Sequence, residues 1–293
     1  MGQQHEGASG LNILSVQSSV AYGHVGNSAA VFPLQRMGFE VWPVNTVHFS
    51  NHTGYGEWRG QVLPSEDVAT IIRGIEERDV LPNCDAVLSG YMGDASLGEV
   101  VVGAVGRVKG LNGVAIYCCD PVMGDAGRGF FVRPGIPEFI KEVMVPVADV
   151  ITPNQFELEF LTGVEIEDLD DALVAADEAR RLGPETVLTT SLRRTDADTD
   201  TIEMLAVSGE GAWLVQTPML ALEVNGAGDA TAALFLAHLL RNSTLAEALS
   251  MTASTVYSVL EETRRTGSRE MRLVSTQQSI VEPSRRFEVR NIL

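Results

Sequence analysis

The chain has 293 residues, of which 45% are hydrophobic and 20% charged, a balance that provides ample apolar side chains for a globular core. Its formal net charge is −18, from 21 basic and 39 acidic residues, which argues against nucleic acid and anionic membranes as partners because both bind basic surfaces. No apolar run approaches the length of a membrane span and the first residues do not resemble a signal peptide, so we expect a cytoplasmic protein.

Apolar runs alternate with amphipathic stretches along most of the chain. The predicted strands are residues 12–17, 41–46, 86–89, 114–119, 147–152, 186–190, 204–207 and 212–216. The predicted helices are residues 27–37, 65–78, 97–109, 137–144, 155–161, 169–182, 228–241 and 245–263. Apolar strands that alternate with helices are typical of an α/β fold, with a mostly parallel sheet covered by helices on both faces.

The segments outside these elements predict the domain organisation. No internal repeat or long linker interrupts the pattern, so residues 11–293 are expected to form a single domain. The polar, glycine-rich residues 1–10 are expected to be a disordered tail. Residues 193–201 read as a mobile surface loop, and the basic turn 264–270 as a solvated segment without a function.

The cysteines and lysines narrow the possible chemistry. Cys84, Cys118 and Cys119 are odd in number and lack C-x-x-C spacing, which favours reduced, packed thiols over a disulfide framework or a metal site. The two lysines, Lys109 and Lys141, do not belong to a G-x-x-x-x-G-K-[ST] motif, so a Walker P-loop is absent. A nucleotide, if one is bound, requires another scaffold.

The first three predicted parallel strands end in polar, glycine-containing loops. These loops, residues 18–27, 47–56 and 89–94, combine hydroxyl groups, imidazoles and an aromatic ring. In open α/β sheets, ligands bind beyond the carboxyl ends of the strands. Each loop alone could be ordinary turn chemistry, but three at successive strand ends favour a pocket for a small aromatic heterocycle.

Carboxylates follow the next two strands. Asp120 precedes Pro121 and a glycine-spaced segment that we interpret as a flap over residues 120–130. Glu157 comes three residues after Asn154, at the predicted start of a helix. It is either a capping residue or, together with Asp120, a group that organises Mg²⁺ through water, since Mg²⁺ keeps several waters and takes few carboxylates.

The sequence Asn-Gly-Ala-Gly-Asp at residues 225–229 leads directly into an apolar helix. Gly226 and Gly228 allow the backbone to pass close to a ligand, and N–H groups at a helix N-terminus favour an anion. Asp229 would then stand beside this anion hole as a base, an arrangement that suits phosphoryl transfer to a hydroxyl group. The motif is weak by itself because Asp is also a common capping residue.

Three motifs together resemble the ribokinase-like superfamily in order and spacing. They are D-P-V-M-G at residues 120–124, N-x-x-E at residues 154–157 and G-A-G-D at residues 226–229. The resemblance implies a ribokinase-like three-layer α/β fold with a central, mostly parallel sheet and helices on both faces.

Within that superfamily the chain is most similar to the bacterial (PdxY-type) pyridoxal kinases. The blocks that carry this likeness are residues 17–30, 45–53 and 88–91, and the likeness extends from about residue 11 to the last helices. It implies an enzyme that uses ATP and Mg²⁺ to phosphorylate the 5′-hydroxymethyl group of pyridoxal. It also implies a homodimer and allows a monovalent cation as a further cofactor.

The resemblance assigns roles position by position. Asp229 would be the catalytic base, and Gly226, Ala227 and Gly228 would form the anion hole. The residues that bind pyridoxal would be Ser18, Val47, Thr53, Gly54, Tyr91 and Asp229. The residues that bind ATP would be Asp120, Thr152, Glu157, Thr190, Ser191, Thr217, Pro218, Met219 and Leu220, with Asp120 and Glu157 also ordering the metal.

One departure and two alternatives remain at this point. Some bacterial pyridoxal kinases carry Lys where Thr190 stands, so one ATP contact must be neutral or made elsewhere. A hydroxymethylpyrimidine or sugar kinase of the same superfamily is one alternative, although Ser18, Val47 and Tyr91 favour a flat ring over a sugar. A non-catalytic carrier of the vitamer or of pyridoxal 5′-phosphate is the other, although such a protein would not need Asp229.

Overall fold

A ten-stranded sheet runs through the centre of the structure, a computed structural model that describes residues 10–241 and 243–292. The strands are β1 (Asn12–Val20), β2 (Glu40–Phe49), β3 (Gly60–Val62), β4 (Cys84–Ser89), β5 (Ile116–Cys119), β6 (Gly124–Asp125), β7 (Gly129–Phe130), β8 (Val150–Ile151), β9 (Thr186–Leu192), β10 (Thr201–Ser208), β11 (Gly211–Pro218) and β12 (Val289–Asn291). The order in the sheet is β12-β11-β10-β9-β8-β5-β4-β1-β2-β3, and β6 pairs with β7 in a separate hairpin.

The middle of the sheet is parallel. Strands β2, β1, β4, β5, β8 and β9 run in the same direction. Strand β3 is antiparallel to its neighbour at one edge, and β10, β11 and β12 alternate in direction at the other. The carboxyl ends of the six parallel strands therefore meet along one side of the sheet, where ligands bind in folds of this kind.

Helices cover both faces of the sheet. They are α1 (Asn27–Arg36), α2 (Ser65–Glu76), α3 (Ala95–Leu111), α4 (Ile136–Phe139), α5 (Gln155–Thr162), α6 (Leu169–Arg181), α7 (Ala227–Leu240), α8 (Leu245–Thr266) and α9 (Gln277–Val281). Side chains of α2 to α6 pack in one apolar cluster with the sheet, and those of α1, α7, α8 and α9 pack in another.

Both faces of the central strands are apolar, and this places the sheet between two cores. In β1, Leu14 belongs to the first cluster and Ile13 to the second, and in β4 the same division separates Val87 from Leu88. Successive side chains of a strand point to opposite faces, so an uninterrupted apolar run must be buried on both. The predicted three-layer α/β fold with a mostly parallel sheet is confirmed.

Each predicted strand and helix has a counterpart in the structure, with differences at the ends. The predicted strand 147–152 shrinks to β8, because Val145–Val147 forms a 3-10 turn around Pro146. The predicted helix 137–144 begins as α4 and continues as a π-helical turn, Ile140–Met144. Strands β3, β6, β7 and β12 and helix α9 were not predicted, because such short segments show no clear periodicity.

The loops between the elements bear on two further predictions. The loop between β9 and β10 contains Arg194, whose side chain is only 6% exposed and forms an ion pair with buried Glu203, so this loop has an anchor that its sequence did not reveal. In the predicted basic turn 264–270, residues 264–267 and 269 are exposed, as in a solvated segment, but Glu270 accepts hydrogen bonds from two distant segments. Apart from Gly10, the predicted tail lies outside the described residues.

The cysteine prediction is confirmed: Cys84, Cys118 and Cys119 are buried free thiols. Burial raises the pKa of all three, which keeps them protonated and unreactive at neutral pH. Across residues 10–241 and 243–292, every helix is too short or too polar to cross a membrane.

Candidate active site

A cavity of about 490 Å³ lies beyond the carboxyl ends of the parallel strands, beside the start of α7. It brings together the predicted site residues Ser18, Val47, Thr53, Gly54, Tyr91, Asp120, Thr152, Glu157, Thr190, Ser191, Gly226, Ala227, Gly228 and Asp229. Its walls also include Val20, Val25, Phe49, His52, Val122, Gly124, Asp125, Arg128, Phe131, Asn154, Val224 and Asn225. Seven separate segments, at the ends of six parallel strands and at the start of α7, therefore converge on one space.

One end of the cavity has an apolar wall. Val20, Val25, Val47 and Phe49 form a buried cluster against which Tyr91 packs. Burial raises the pKa of the Tyr91 phenol, so it is neutral and can donate or accept a hydrogen bond at physiological pH. An apolar wall with a few directed polar groups suits a flat heterocyclic ring.

Hydroxyl groups and an imidazole lie around this wall. Ser18, at the end of β1, is 5% exposed and borders the cavity. Thr53 and Gly54 belong to a 3-10 turn, Thr53–Tyr55, whose cap is His52: the Gly54 N–H donates to His52 Nδ1 over 3.0 Å. Burial and the nearby Arg128 charge lower the pKa of His52, so the imidazole is neutral at pH 7.

The start of α7 forms another part of the cavity wall. Gly226 caps the helix with φ +86°, and a Cβ at this position would overlap the carbonyl oxygen of His24, so only glycine fits. The Ala230 N–H makes an intrahelical bond to the Gly226 carbonyl over 3.0 Å. The N–H groups of Ala227 and Gly228 belong to the turn whose donors a helix cannot satisfy with its own carbonyls, so they are suited to an anion.

Gly228 faces open space, since a Cβ placed there would meet no atom within 4 Å. Glycine therefore has different structural roles at positions 226 and 228. Gly226 is required by the backbone and by His24, whereas Gly228 leaves room for a group inside the cavity.

Asp229 stands in the first turn of α7, beside these N–H groups. Burial raises its pKa from 3.8 to about 6, and the backbone N–H groups of Gly26 and of Asp229 itself partly oppose this. A carboxylate with a pKa near the working pH is well matched to general-base catalysis.

Asp120 and Glu157 form the acidic side of the cavity. The pKa of Asp120 is raised well above its usual value by burial and by the charges of Glu157 and Asp229, while its Oδ1 accepts a hydrogen bond from Thr152 Oγ1 at 2.9 Å. Burial raises the pKa of Glu157 to about 7. Buried carboxylates that repel one another are an environment in which a cation is stabilising.

Glu157 is also the capping residue that its position suggested. Its backbone N–H donates to Asn154 Oδ1, and its Oε2 accepts from the Asn154 N–H at 2.9 Å, which completes a capping box at the start of α5. Its Oε1 accepts from the N–H groups of Met123 and Gly124 in the flap. The same side chain therefore connects the start of α5 to the flap.

The flap is the hairpin of β6 and β7, and it places Arg128 at the cavity. Arg128 makes two bonds to Asp125 Oδ2, from Nε at 2.8 Å and from Nη2 at 2.6 Å, and its guanidinium lies 5.1 Å from the Phe131 ring centre. It is the one Lys or Arg among the described residues that line the cavity. No role in the site was predicted from the sequence for Arg128 or His52. The position of Arg128 between two glycines, in a chain with few basic residues, was a signal that could have identified it.

The end of β9 provides the remaining wall. Ser191 has φ +52°, in the left-handed region that is uncommon for residues other than glycine. The backbone N–H of Thr190 donates to the Pro153 carbonyl at 2.8 Å, which ties this strand end to the start of α5. Strained backbone of this kind is found preferentially at functional sites.

Four residues assigned to ATP lie away from the cavity. Thr217 and Pro218 end β11, and Met219 and Leu220 follow it, at the antiparallel edge of the sheet. The Met219 N–H donates to the Asp200 carbonyl at 2.7 Å, so this segment packs against the loop between β9 and β10. Their contact with a nucleotide stays a prediction.

Comparisons with known proteins agree with this geometry. The family model described as phosphomethylpyrimidine kinase matches residues 56–273. A curated pyridoxal kinase PdxY of Rubrobacter xylanophilus is 70% identical over 284 residues, which covers 97% of this chain and 98% of that protein. The solved pyridoxal kinase of Leishmania donovani with ADP and ginkgotoxin is 31% identical, with a TM-score of 0.91 and coverage of 97% and 100%. The same enzyme with ADP and pyridoxine has a TM-score of 0.90, 31% identity and coverage of 96% and 99%. The chain belongs to the pyridoxal kinase family.

Proposed function

We propose that this protein is an ATP-dependent kinase that phosphorylates the 5′-hydroxymethyl group of pyridoxal and related B6 vitamers, giving pyridoxal 5′-phosphate from pyridoxal. The observation that carries this is the shared cavity, in which Asp229 and the start of α7 face an apolar wall with hydroxyl groups. The pyridoxal kinases described above, one of them solved with ADP and pyridoxine, support the same substrates.

Different residues of the cavity would bind the substrate and catalyse the reaction. Ser18, Thr53 and Tyr91 would bind the polar substituents of the pyridine ring while Val47 contacts its face. Asp229 would accept the proton of the attacking hydroxyl group, and the N–H groups of Ala227 and Gly228 would stabilise charge on the transferred phosphoryl group. Because the transition state of phosphoryl transfer is loose, most of the rate gain should come from positioning and charge stabilisation.

The acidic side of the cavity fits Mg²⁺ held largely by water and phosphate oxygens. Oδ1 of Asp120 is bonded to Thr152, while the oxygens of Glu157 already accept backbone N–H groups, so Glu157 would act through water. No group of three or more metal-ligating side chains occurs within residues 10–241 and 243–292. Mg²⁺ usually keeps several waters and is bound through one or two carboxylates together with substrate phosphates. Bound Mg²⁺ would neutralise phosphate charge, and a monovalent cation could add to this effect.

The assembly and location proposed for the protein follow from the family. We expect a homodimer in the cytoplasm, and size-exclusion chromatography with light scattering tests the first point directly. A mass of about 31.5 kDa in solution would identify a monomer and contradict the dimer.

A pyrimidine kinase is the second candidate, because the matching family model carries the name phosphomethylpyrimidine kinase. The purified protein should be assayed with Mg²⁺-ATP and pyridoxal, pyridoxine, hydroxymethylpyrimidine or ribose, following the release of ADP for every substrate and, for pyridoxal, also the absorbance of the phosphorylated aldehyde. We expect turnover of pyridoxal to exceed that of the pyrimidine and the sugar. Preferential turnover of the pyrimidine would contradict the proposed substrate, and pyridoxal binding without turnover would identify a carrier.

A further inference from the structure

Glu270 joins three parts of the chain that are far apart in sequence. Its Oε1 accepts a hydrogen bond from the Tyr55 hydroxyl at 2.6 Å, and its Oε2 accepts one from the backbone N–H of His24 at 3.0 Å. Its own conformation is set by Ser268, whose hydroxyl donates to the Glu270 carbonyl and accepts from the Glu270 N–H. One half-buried carboxylate thus forms hydrogen bonds with both the loop after β1 and the loop after β2.

The surroundings of Glu270 leave its carboxylate little freedom. A Cβ at Gly23, where φ is +98°, would overlap the Glu270 carboxylate, so this close approach depends on glycine. The next residue, Met271, is 2% exposed and packs in a small apolar cluster with Ala230 of α7. The segment that carries Glu270 is therefore fixed to the helix that carries the anion hole.

The bond to Tyr55 acts on the substrate side of the cavity. Tyr55 ends the 3-10 turn whose first two residues, Thr53 and Gly54, line the cavity. The Arg269 guanidinium lies over the Tyr55 ring, 4.4 Å from its centre. The hydrogen bond to the Glu270 carboxylate raises the pKa of Tyr55 to about 12, so the phenol stays protonated as the donor.

The bond to His24 acts on the phosphate side. The carbonyl of His24 contacts Gly226, the cap of α7, closely enough to exclude any side chain there. A hydrogen bond on the N–H of the same residue therefore restrains the backbone next to the carbonyl against which α7 begins. Glu270 touches neither of the two cavity walls, but it connects the loops that form them.

From these contacts we infer that Glu270 and Tyr55 form a clamp that holds the turn Thr53–Tyr55 in its pyridoxal-binding position relative to the start of α7. Glu270 is a positioning residue, since it acts through Tyr55 and His24. The inference rests on the proposed function, because it assigns the turn to pyridoxal. Loss of the hydrogen bond between Tyr55 and Glu270 should therefore weaken pyridoxal binding more than ATP binding.

The test compares Tyr55→Phe and Glu270→Gln with the wild type, by calorimetric titration of pyridoxal and by steady-state kinetics with pyridoxal and ATP varied separately. Tyr55→Phe removes the hydroxyl but keeps the ring over which Arg269 lies. We expect the Kd and KM for pyridoxal to rise about tenfold, which is about 1.4 kcal/mol and in the range of a hydrogen bond to a charged group. For Tyr55→Phe, which leaves the hydrogen bond between Glu270 and the His24 N–H in place, the KM for ATP and the thermal unfolding temperature should change little.

The double variant distinguishes a clamp from two independent contacts. If Tyr55 and Glu270 act through each other, the double variant should bind pyridoxal no more weakly than the worse single variant. Tyr257→Phe is the matched control, because it removes a similar Tyr–Glu bond, of 3.2 Å to Glu261 within α8, outside the cavity. It should leave both KM values unchanged.

Two results would overturn the clamp while leaving the proposed function intact. One is a wild-type protein that phosphorylates pyridoxal together with variants whose Kd for pyridoxal is unchanged. The other is an equal rise in the KM for pyridoxal and for ATP with a lower unfolding temperature, which would indicate general loosening of the structure. A wild-type protein that neither binds nor phosphorylates pyridoxal would overturn the function and the clamp together.

Discussion

Replacing Asp229 with Asn would remove the charge of this side chain while keeping its size and shape. Burial raises the pKa of Asp229 from 3.8 to about 6, so the ionised form is less favourable in the folded chain than in the unfolded one. A difference of about 2 pKa units corresponds to about 3 kcal/mol, at about 1.36 kcal/mol per unit. The side chain is partly accessible from the cavity, and solvent screening reduces the expected effect to about 1–2 kcal/mol.

The sign of the shift determines its pH dependence. Below pH 3.8 the carboxyl group is largely protonated in both states, so it does not oppose folding. Between pH 3.8 and about 6 the unfolded chain ionises first, and the destabilisation grows until it is complete above about 6. Asp229→Asn stays neutral, so we expect it to be more stable than the wild type by about 1–2 kcal/mol at pH near 8 and equally stable at pH near 4.

The same substitution should reduce kcat by about 10²- to 10⁴-fold, because Asn cannot accept the proton of the attacking hydroxyl group. Urea unfolding from about pH 4 to 8 and kinetics with pyridoxal measure the two effects. Asp177→Asn is the control, since Asp177 is half exposed in an ion pair with Arg180 on α6, and its stability change should stay within about 0.5 kcal/mol. A destabilised Asp229→Asn protein at pH near 8, or one with wild-type turnover, would refute this reasoning.

Three further substitutions test the cavity. Gly226→Ala should destabilise the protein by about 1–3 kcal/mol in thermal unfolding, because φ is +86° and the His24 carbonyl blocks a Cβ. Gly228→Ala should have the unfolding temperature of the wild type but a higher KM for ATP, because a Cβ there meets no atom and enters the cavity. Equal stability of the two variants would contradict this difference. Arg128 is the one Lys or Arg among the described residues that line the cavity, so we expect it to contact a phosphate of ATP and Arg128→Gln to raise the KM for ATP; an unchanged KM would contradict this contact. Its ion pair with Asp125 is exposed, so stability should change by less than about 1 kcal/mol. Asp120→Asn should raise the Mg²⁺ concentration needed for half-maximal activity, and a Mg²⁺ titration that matches the wild type would exclude a metal role.

The local sequence determined the long elements and the glycine-containing helix start that borders the cavity. Apolar runs such as residues 86–89 predict buried strands because side-chain direction alternates along a strand and both faces of a parallel sheet are covered. The start of α7 can also be predicted from neighbouring residues alone. Gly226 and Gly228 before an apolar helix indicate a close approach of the backbone to a ligand and N–H groups that point to it. Short edge elements such as β3 and β12 carry too few residues for any period to show.

Only the tertiary structure decided which polar side chains meet. Arg128 and His52 come from different loops, and the charge of one lowers the pKa of the other across the cavity. Glu270 looked like part of a solvated basic turn, yet it bonds His24 across 246 positions of sequence. Periodicity and turn chemistry report on neighbours within about one turn of helix or one strand, whereas contacts over such separations depend on how α7, α8 and the sheet pack together.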